Sequence, residues 1–137
     1  MYSNILVPLA MDEGSEARIA AVVDVARHLA EPGARITLLH VMEQVPAYVD
    51  SYLPHDYIDA LREALAKRIS DLAATVPGAC GVVVTGHSGR TILDYASEHG
   101  IDLVVMASHQ PGMQDLLIGS TAGHVVRHAR CSVHVLR

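Results

Sequence analysis

Residues 4–41 are NILVPLAMDEGSEARIAAVVDVARHLAEPGARITLLHV, two apolar runs with a helical pattern between them. The runs at 4–8 and 36–41 are short and almost continuously apolar, which is typical of strands buried on both faces of a sheet. From Glu16 onward, apolar side chains recur on one helical face, and residues 31–33 supply a stop signal. The segment therefore predicts a strand, a helix and a second strand parallel to the first.

The same alternation continues along the rest of the chain. Apolar runs at 81–85, 102–107 and 133–136 predict three more strands, and helical spacing predicts helices over 58–72, around 92–96 and from Ser120 to Ala129. Five strands alternating with four helices predict an α/β fold: one open, mostly parallel sheet with helices on both faces. No linker or repeat interrupts the pattern, so residues 1–137 are expected to form a single domain.

The composition agrees with one packed domain. The chain has 137 residues, of which 50% are apolar, and domains cluster near ~100–150 residues. Five tyrosines and no phenylalanine or tryptophan predict a core of aliphatic side chains. The formal net charge of −5, from 15 acidic and 10 basic residues, argues against a protein that covers nucleic-acid phosphates.

The sequence also predicts a cytoplasmic protein without membrane insertion. No apolar run reaches the ~18 residues that a membrane span requires, and residues 1–20 lack the pattern of a signal peptide. Cys80 and Cys131 are too few for a disulfide framework and have no metal-site spacing. This usage fits a reducing compartment.

A ligand site is expected beyond the carboxyl ends of the strands, where the strand order of an open α/β sheet reverses. If the first strand is central, the loops at 9–14 and 108–119 flank that crevice. The second loop enters a helix through Gly119, Ser120 and Thr121, whose hydroxyls and backbone N–H groups could hold a phosphate. The alternative is that Ser120 only caps its own helix.

Other chemistries have weaker support. The G-x-G-x-x-G and G-x-x-x-x-G-K-[ST] motifs are absent, and residues 86–90 (GHSGR) lack the last glycine of a nucleophile elbow. Ser88 is therefore interpreted as the N-cap of the third helix, and His40 as a partner of backbone groups. His124 and His128 share a helical face but have no carboxylate between them. No metal site and no catalytic residue is predicted.

Residues 42–54 have no clear period and predict a long loop. Tyr48, Tyr52 and Tyr57 lie in or beside it. Two interpretations stay open: the tyrosines contact a partner, or they cover the protein's own core.

Four segments in combination resemble the universal stress protein family over essentially the whole chain. They are NILVP at 4–8, LLHV at 38–41, IDLVVMASH at 101–109 and LLIGSTAGHVVRHARCSVHVLR at 116–137. The similarity is greatest to the small bacterial F/G-type subgroup. It implies the strand order 3-2-1-4-5, a homodimer formed through the last strands or a tetramer, and an adenine nucleotide, ATP or AMP with or without magnesium, in the crevice.

The resemblance also assigns positions to the nucleotide site. The adenosine side is Pro8, Leu9, Ala10 and Val41. The phosphate side is Met106, Ala107, Ser108, His109, Gly119, Ser120 and Thr121.

Several of these positions depart from the motif G-x2-G-x9-G-[ST] of the ATP-binding branch. Ala107 and Gln110 replace its first two glycines, and the spacer 111–118 is shorter by one residue, so only Gly119 and Ser120 are kept. Ala10 stands where the family usually has an aspartate. One lost hydrogen bond to a neutral partner costs about 0.5–1.5 kcal/mol, so Ala10 is expected to weaken binding without abolishing it.

The resemblance implies a stress-linked regulator that binds an adenine nucleotide and signals through an unidentified protein partner. One alternative is a nucleotide-free interaction dimer of the universal stress protein A type. Another is slow ATP hydrolysis or autophosphorylation, which needs a positioned base and a metal held by carboxylates. The loops offer Asp12, His109 and Asp115 for this chemistry but no assembled set.

Overall fold

The computed structural model describes residues 1–12, 14–108 and 118–137, and these ranges contain five strands and five helices, which alternate except that two helices lie between the second and third strands. None of the helices in these ranges is long and apolar enough to cross a membrane. The strands are β1 (Tyr2–Pro8), β2 (Ala30–Met42), β3 (Ala79–Thr85), β4 (Leu103–Ala107) and β5 (Ser132–Leu136). The helices are α1 (Glu16–Leu29), α2 (Ala47–Asp50), α3 (Tyr57–Ala73), α4 (Ser88–Glu98) and α5 (Ser120–His128).

The strands form one sheet in the order β3-β2-β1-β4-β5, and every neighbouring pair is parallel. The α/β class and the strand order 3-2-1-4-5 are thus confirmed. The chain extends the sheet from β1 through β2 to β3, then returns to the other side of β1 with β4. The strand order therefore reverses between β1 and β4, where an open sheet leaves a crevice beyond its carboxyl edge.

The core lies in two layers, one on each face of the sheet. Successive β1 residues enter opposite layers: Ile5 and Val7 pack with α1 and α3, whereas Leu6 packs with α4 and α5. All three side chains are fully buried, as expected for a strand covered on both faces. The buried hydrophobic side chains are Ile, Leu, Val, Ala and Met, as predicted from a sequence without phenylalanine or tryptophan.

The start of β2 differs from the sequence-based prediction. The strand begins at Ala30 rather than at residue 36. Tyr2 pairs with Ala30 but Asn4 pairs with Arg35, so residues 31–34 bulge out of the ladder. Gly33 has φ +80°, a conformation that a residue with a Cβ rarely adopts. The helix has already ended at Leu29, so the Pro-Gly pair shapes this bulge and not the helix end.

The fifth helix, α2, lies inside the stretch that was predicted to be an irregular loop. It has only four residues and follows Pro46, whose φ of −55° suits the entrance to a helix. Tyr48 and Tyr52 are 73% and 87% exposed. Their interpretation as a cover for the core is therefore wrong, and both rings lie in solvent.

Candidate functional site

A cavity of about 740 Å³ opens at the carboxyl ends of β1, β2 and β4, at the predicted crevice. Every predicted nucleotide-binding residue that the structure describes lines it. His109 lies outside the described residues. The predicted residues on the wall are Pro8, Leu9, Ala10, Val41, Met106, Ala107, Ser108, Gly119, Ser120 and Thr121.

The floor of the cavity is a fixed backbone segment just beyond β1. The Leu9 N–H donates to the Leu39 carbonyl at 2.8 Å, and His40 Nδ1 donates to the Leu9 carbonyl, also at 2.8 Å. The interpretation of His40 as a partner of backbone groups is thus confirmed. These two bonds hold the peptide that precedes Ala10 against β2, so the exposed Ala10 faces the cavity from a rigid base.

The opposite end of the cavity is the N-terminus of α5. Gly119 is the N-cap residue, and its N–H donates to the Ser108 carbonyl at 2.6 Å, which ties the start of α5 to the end of β4. Ser120 is the first helical residue, so its interpretation as the cap is wrong. The first N–H groups of a helix have no intrahelical acceptor and carry partial positive charge. In the described part of the chain, the Ser120 and Thr121 hydroxyls make no hydrogen bond either. Among the described residues, these donors have no partner at this end, so they are available to an anion.

Apolar side chains of two helices form the outer wall. Leu61 and Leu65 of α3 and Ile92 of α4 line the cavity, and the sequence reasoning assigned none of them to the site. Leu61 belongs to the apolar stripe of α3, but it is 38% exposed, whereas Ile69 on the same stripe is fully buried. The stripe thus extends beyond the core, and its outer end faces the cavity. An apolar stripe longer than the core requires was the sequence signal that could have assigned Leu61 to the cavity wall.

Two side-chain pairs that each include a carboxylate also lie on the wall. The Arg18 guanidinium is 3.3 Å from the Asp12 carboxylate, and both residues line the cavity. Asp12 is one of the three residues that the sequence offered for ATP hydrolysis, and its carboxylate is occupied by Arg18. The other two, His109 and Asp115, lie outside the described residues.

The second pair joins Glu43 to the start of α4. Glu43 Oε1 accepts a hydrogen bond from the Ser88 N–H at 3.2 Å and another from the Ser88 hydroxyl. The Ser88 hydroxyl holds the pKa of the Glu43 carboxyl below its ordinary value, and the Ser88 N–H and the neighbouring His87 act in the same direction. The N-cap is His87, so the prediction of Ser88 as the cap is wrong by one residue. The carboxylate of Glu43 does the capping instead.

The histidines of α5 lie apart from this cavity. His124 and His128 share a face, with ring centroids 4.7 Å apart, and His87 meets His124 edge-on at 6.4 Å. Across residues 1–12, 14–108 and 118–137, no group of three or more histidine, cysteine or acidic side chains is placed to hold a metal ion. His128 lies in the last turn of its helix, where a basic side chain complements the helix dipole.

The family model described as "Universal stress protein family" matches residues 1–137. The chain belongs to this family. A universal stress protein A homolog 2 from Coxiella burnetii is 32% identical over 142 residues, covering 99% of this chain and 95% of the relative. The match establishes the family, whereas the likeness to the F/G-type subgroup stays a prediction.

Solved structures of universal stress proteins share the fold. UspA from Lactobacillus plantarum is 31% identical and superposes with a TM-score of 0.72, covering 99% of this chain and 98% of that one. A universal stress protein from Archaeoglobus fulgidus in complex with dAMP has a TM-score of 0.67 over 99% of this chain and 98% of its own. At 17% identity, the second likeness shows the fold alone.

Proposed function

We propose that this universal stress protein, as one domain of residues 1–137, binds an adenine nucleotide, ATP or AMP, in the switch-point cavity. The observation that carries the proposal is the convergence of the predicted positions from three strand ends and one helix start on a single cavity. Binding there would regulate contacts with a protein partner in a cytoplasmic stress response. The exposed Tyr48 and Tyr52 beside the β2 end are the proposed partner contacts.

The phosphate end supports the proposal by its chemistry. The free N–H groups of α5 and the hydroxyls of Ser120 and Thr121 supply several hydrogen-bond donors, and the first turn of α5 carries no acidic residue. A helix N-terminus favours an anion through both its donors and its dipole. The dAMP complex of a protein with the same fold is a further, weaker support, because the shared fold does not transfer the ligand.

The alternative is a nucleotide-free interaction dimer of the universal stress protein A type. Two observations favour it: the relative from Coxiella burnetii bears the universal stress protein A name, and alanines stand at positions 10 and 107 of this chain. In either case we propose a homodimer, or a tetramer built from it, through β5. This strand forms one edge of the sheet and can pair with a second copy.

The first experiment measures adenine nucleotide that copurifies with the protein. The freshly purified, never-refolded chain is denatured, and the released nucleotide is separated by chromatography and quantified per chain. We expect close to one ATP or AMP per chain, or a thermal shift when an emptied sample receives millimolar ATP with magnesium. The absence of both would overturn the nucleotide proposal and leave the interaction dimer.

Ala10→Asp is expected to raise the affinity for AMP by up to about tenfold, because a new acceptor on the rigid floor adds one hydrogen bond. Ala10 is exposed, so the fold should tolerate the change. Isothermal titration of the emptied wild type and variant provides the measurement. Ala10→Asn, of similar size and without the charge, is the matched control. A lower affinity in the aspartate variant would show that the ligand has no donor near this position.

A further inference from the structure

A carboxylate with one unused oxygen lies on the cavity wall at the end of β2. Both hydrogen bonds that Glu43 receives from Ser88 go to Oε1, and Oε2 has no hydrogen-bond partner among the described residues. Glu43 and Ser88 both line the cavity. The bonds to Ser88 fix the position of the carboxylate, and they favour its ionised form, which accepts hydrogen bonds but donates none.

The charges on the wall give a nucleotide one favoured direction in the cavity. The N-terminus of α5 attracts an anion at the end of β4, whereas the ionised Glu43 repels one at the end of β2. The phosphate is therefore expected at Ser120, and the uncharged part of the ligand at Glu43. A group that donates a hydrogen bond is favoured at this second end.

The spacing of the strands indicates that the base, and not the sugar, reaches Glu43. In the sheet, β4 and β2 are separated by β1, and neighbouring strands lie about 4.8 Å apart, so the two ends are roughly 10 Å from each other. The ribose adjoins the phosphate, and the base is the part of a nucleoside monophosphate that extends across this distance. The donor that adenine offers at its outer edge is the 6-amino group.

We propose that Glu43 is a specificity-determining residue that selects a 6-aminopurine nucleotide over a 6-oxopurine nucleotide. This inference rests on the proposed function and adds the choice of base to it. A 6-oxo group places an acceptor where the 6-amino group places a donor, so the hydrogen bond to the carboxylate at that position is replaced by repulsion between two acceptors. A structural role of Glu43 as the cap of α4 would not discriminate between the two bases.

The test compares AMP with inosine monophosphate by isothermal titration on the full chain. We expect the wild type to bind AMP about tenfold more tightly. Glu43→Gln should bring the ratio to one or reverse it, because its oxygen still accepts from Ser88 and its NH2 group then faces the base as a donor, which suits a 6-oxo group and not a 6-amino group. Glu98→Gln makes the same charge change at the other end of α4, away from the cavity, and should keep the preference.

Equal affinities of the wild type for AMP and inosine monophosphate would overturn the inference and leave the proposed function standing. An unchanged preference in Glu43→Gln would overturn it as well. Glu43→Gln could instead change the ratio of AMP to dAMP affinity and leave the ratio of AMP to inosine monophosphate affinity unchanged. That result would place Glu43 at the ribose and overturn its role in the choice of base. Failure of the wild type to bind any of these nucleotides would overturn the proposed function itself.

Discussion

Gly119→Asp is expected to abolish nucleotide binding while the protein keeps its fold. Gly119 is the N-cap of α5, with φ −60° and ψ 158°, and aspartate is among the favoured residues at such a position. Its carboxylate would accept hydrogen bonds from the α5 N–H groups, which are then no longer available to the phosphate. Two like charges about 4 Å apart repel by about 4 kcal/mol near a protein surface, and salt reduces this value. We expect AMP affinity to fall at least about a hundredfold.

Gly119→Asn separates the effect of charge from that of size. Asparagine has nearly the same shape and also caps helices, but it places no negative charge at the phosphate position. We expect Gly119→Asn to weaken AMP binding several-fold less than Gly119→Asp, with melting temperatures of both variants close to that of the wild type. Titration of emptied samples with AMP provides the measurement. Comparable affinities of the aspartate variant and the wild type would show that α5 does not hold the phosphate.

The architecture was predictable because buried parallel strands leave a simple signature. Residues that are covered on both faces, such as those around Leu6 and Val104, give short continuous apolar runs. The helices between them have a different period, and right-handed crossovers then restrict the topology. The strand order itself came from the family resemblance, since periodicity does not fix which strands are neighbours.

The two incorrect caps have a common cause. Ser88 and Ser120 were interpreted as N-caps from their hydroxyls, yet each is the first helical residue and follows an extended residue that acts as the cap. The position of a cap depends on where the backbone leaves the extended region, which the type of side chain favours but does not fix. In α4 the capping function falls to Glu43, which is 45 residues away in the sequence. Local sequence reasoning has no access to such a partner.

The outer wall of the cavity was missed for a related reason. The stripe on α3 predicts a helical face that packs on the core, and Ile69 does so. Leu61, two turns earlier on the same face, lines the cavity at the carboxyl edge of the sheet and stays 38% exposed. Only the crossing of the helix over the sheet shows which part of the stripe is core and which part faces the cavity.

Leu38→Ala is expected to lower the free energy of unfolding by about 3–4 kcal/mol, because Leu38 is fully buried between β2 and the helices on its face. Leu61→Ala deletes the same atoms from a side chain that is 38% exposed and should cost about 1 kcal/mol or less. Urea unfolding of the nucleotide-free protein, with every variant at the same protein concentration, measures both losses of unfolding free energy. Equal losses would show that Leu61 belongs to the core. A small stability loss in Leu61→Ala with weaker AMP binding would instead show that the outer end of the α3 stripe contributes its apolar surface to the ligand.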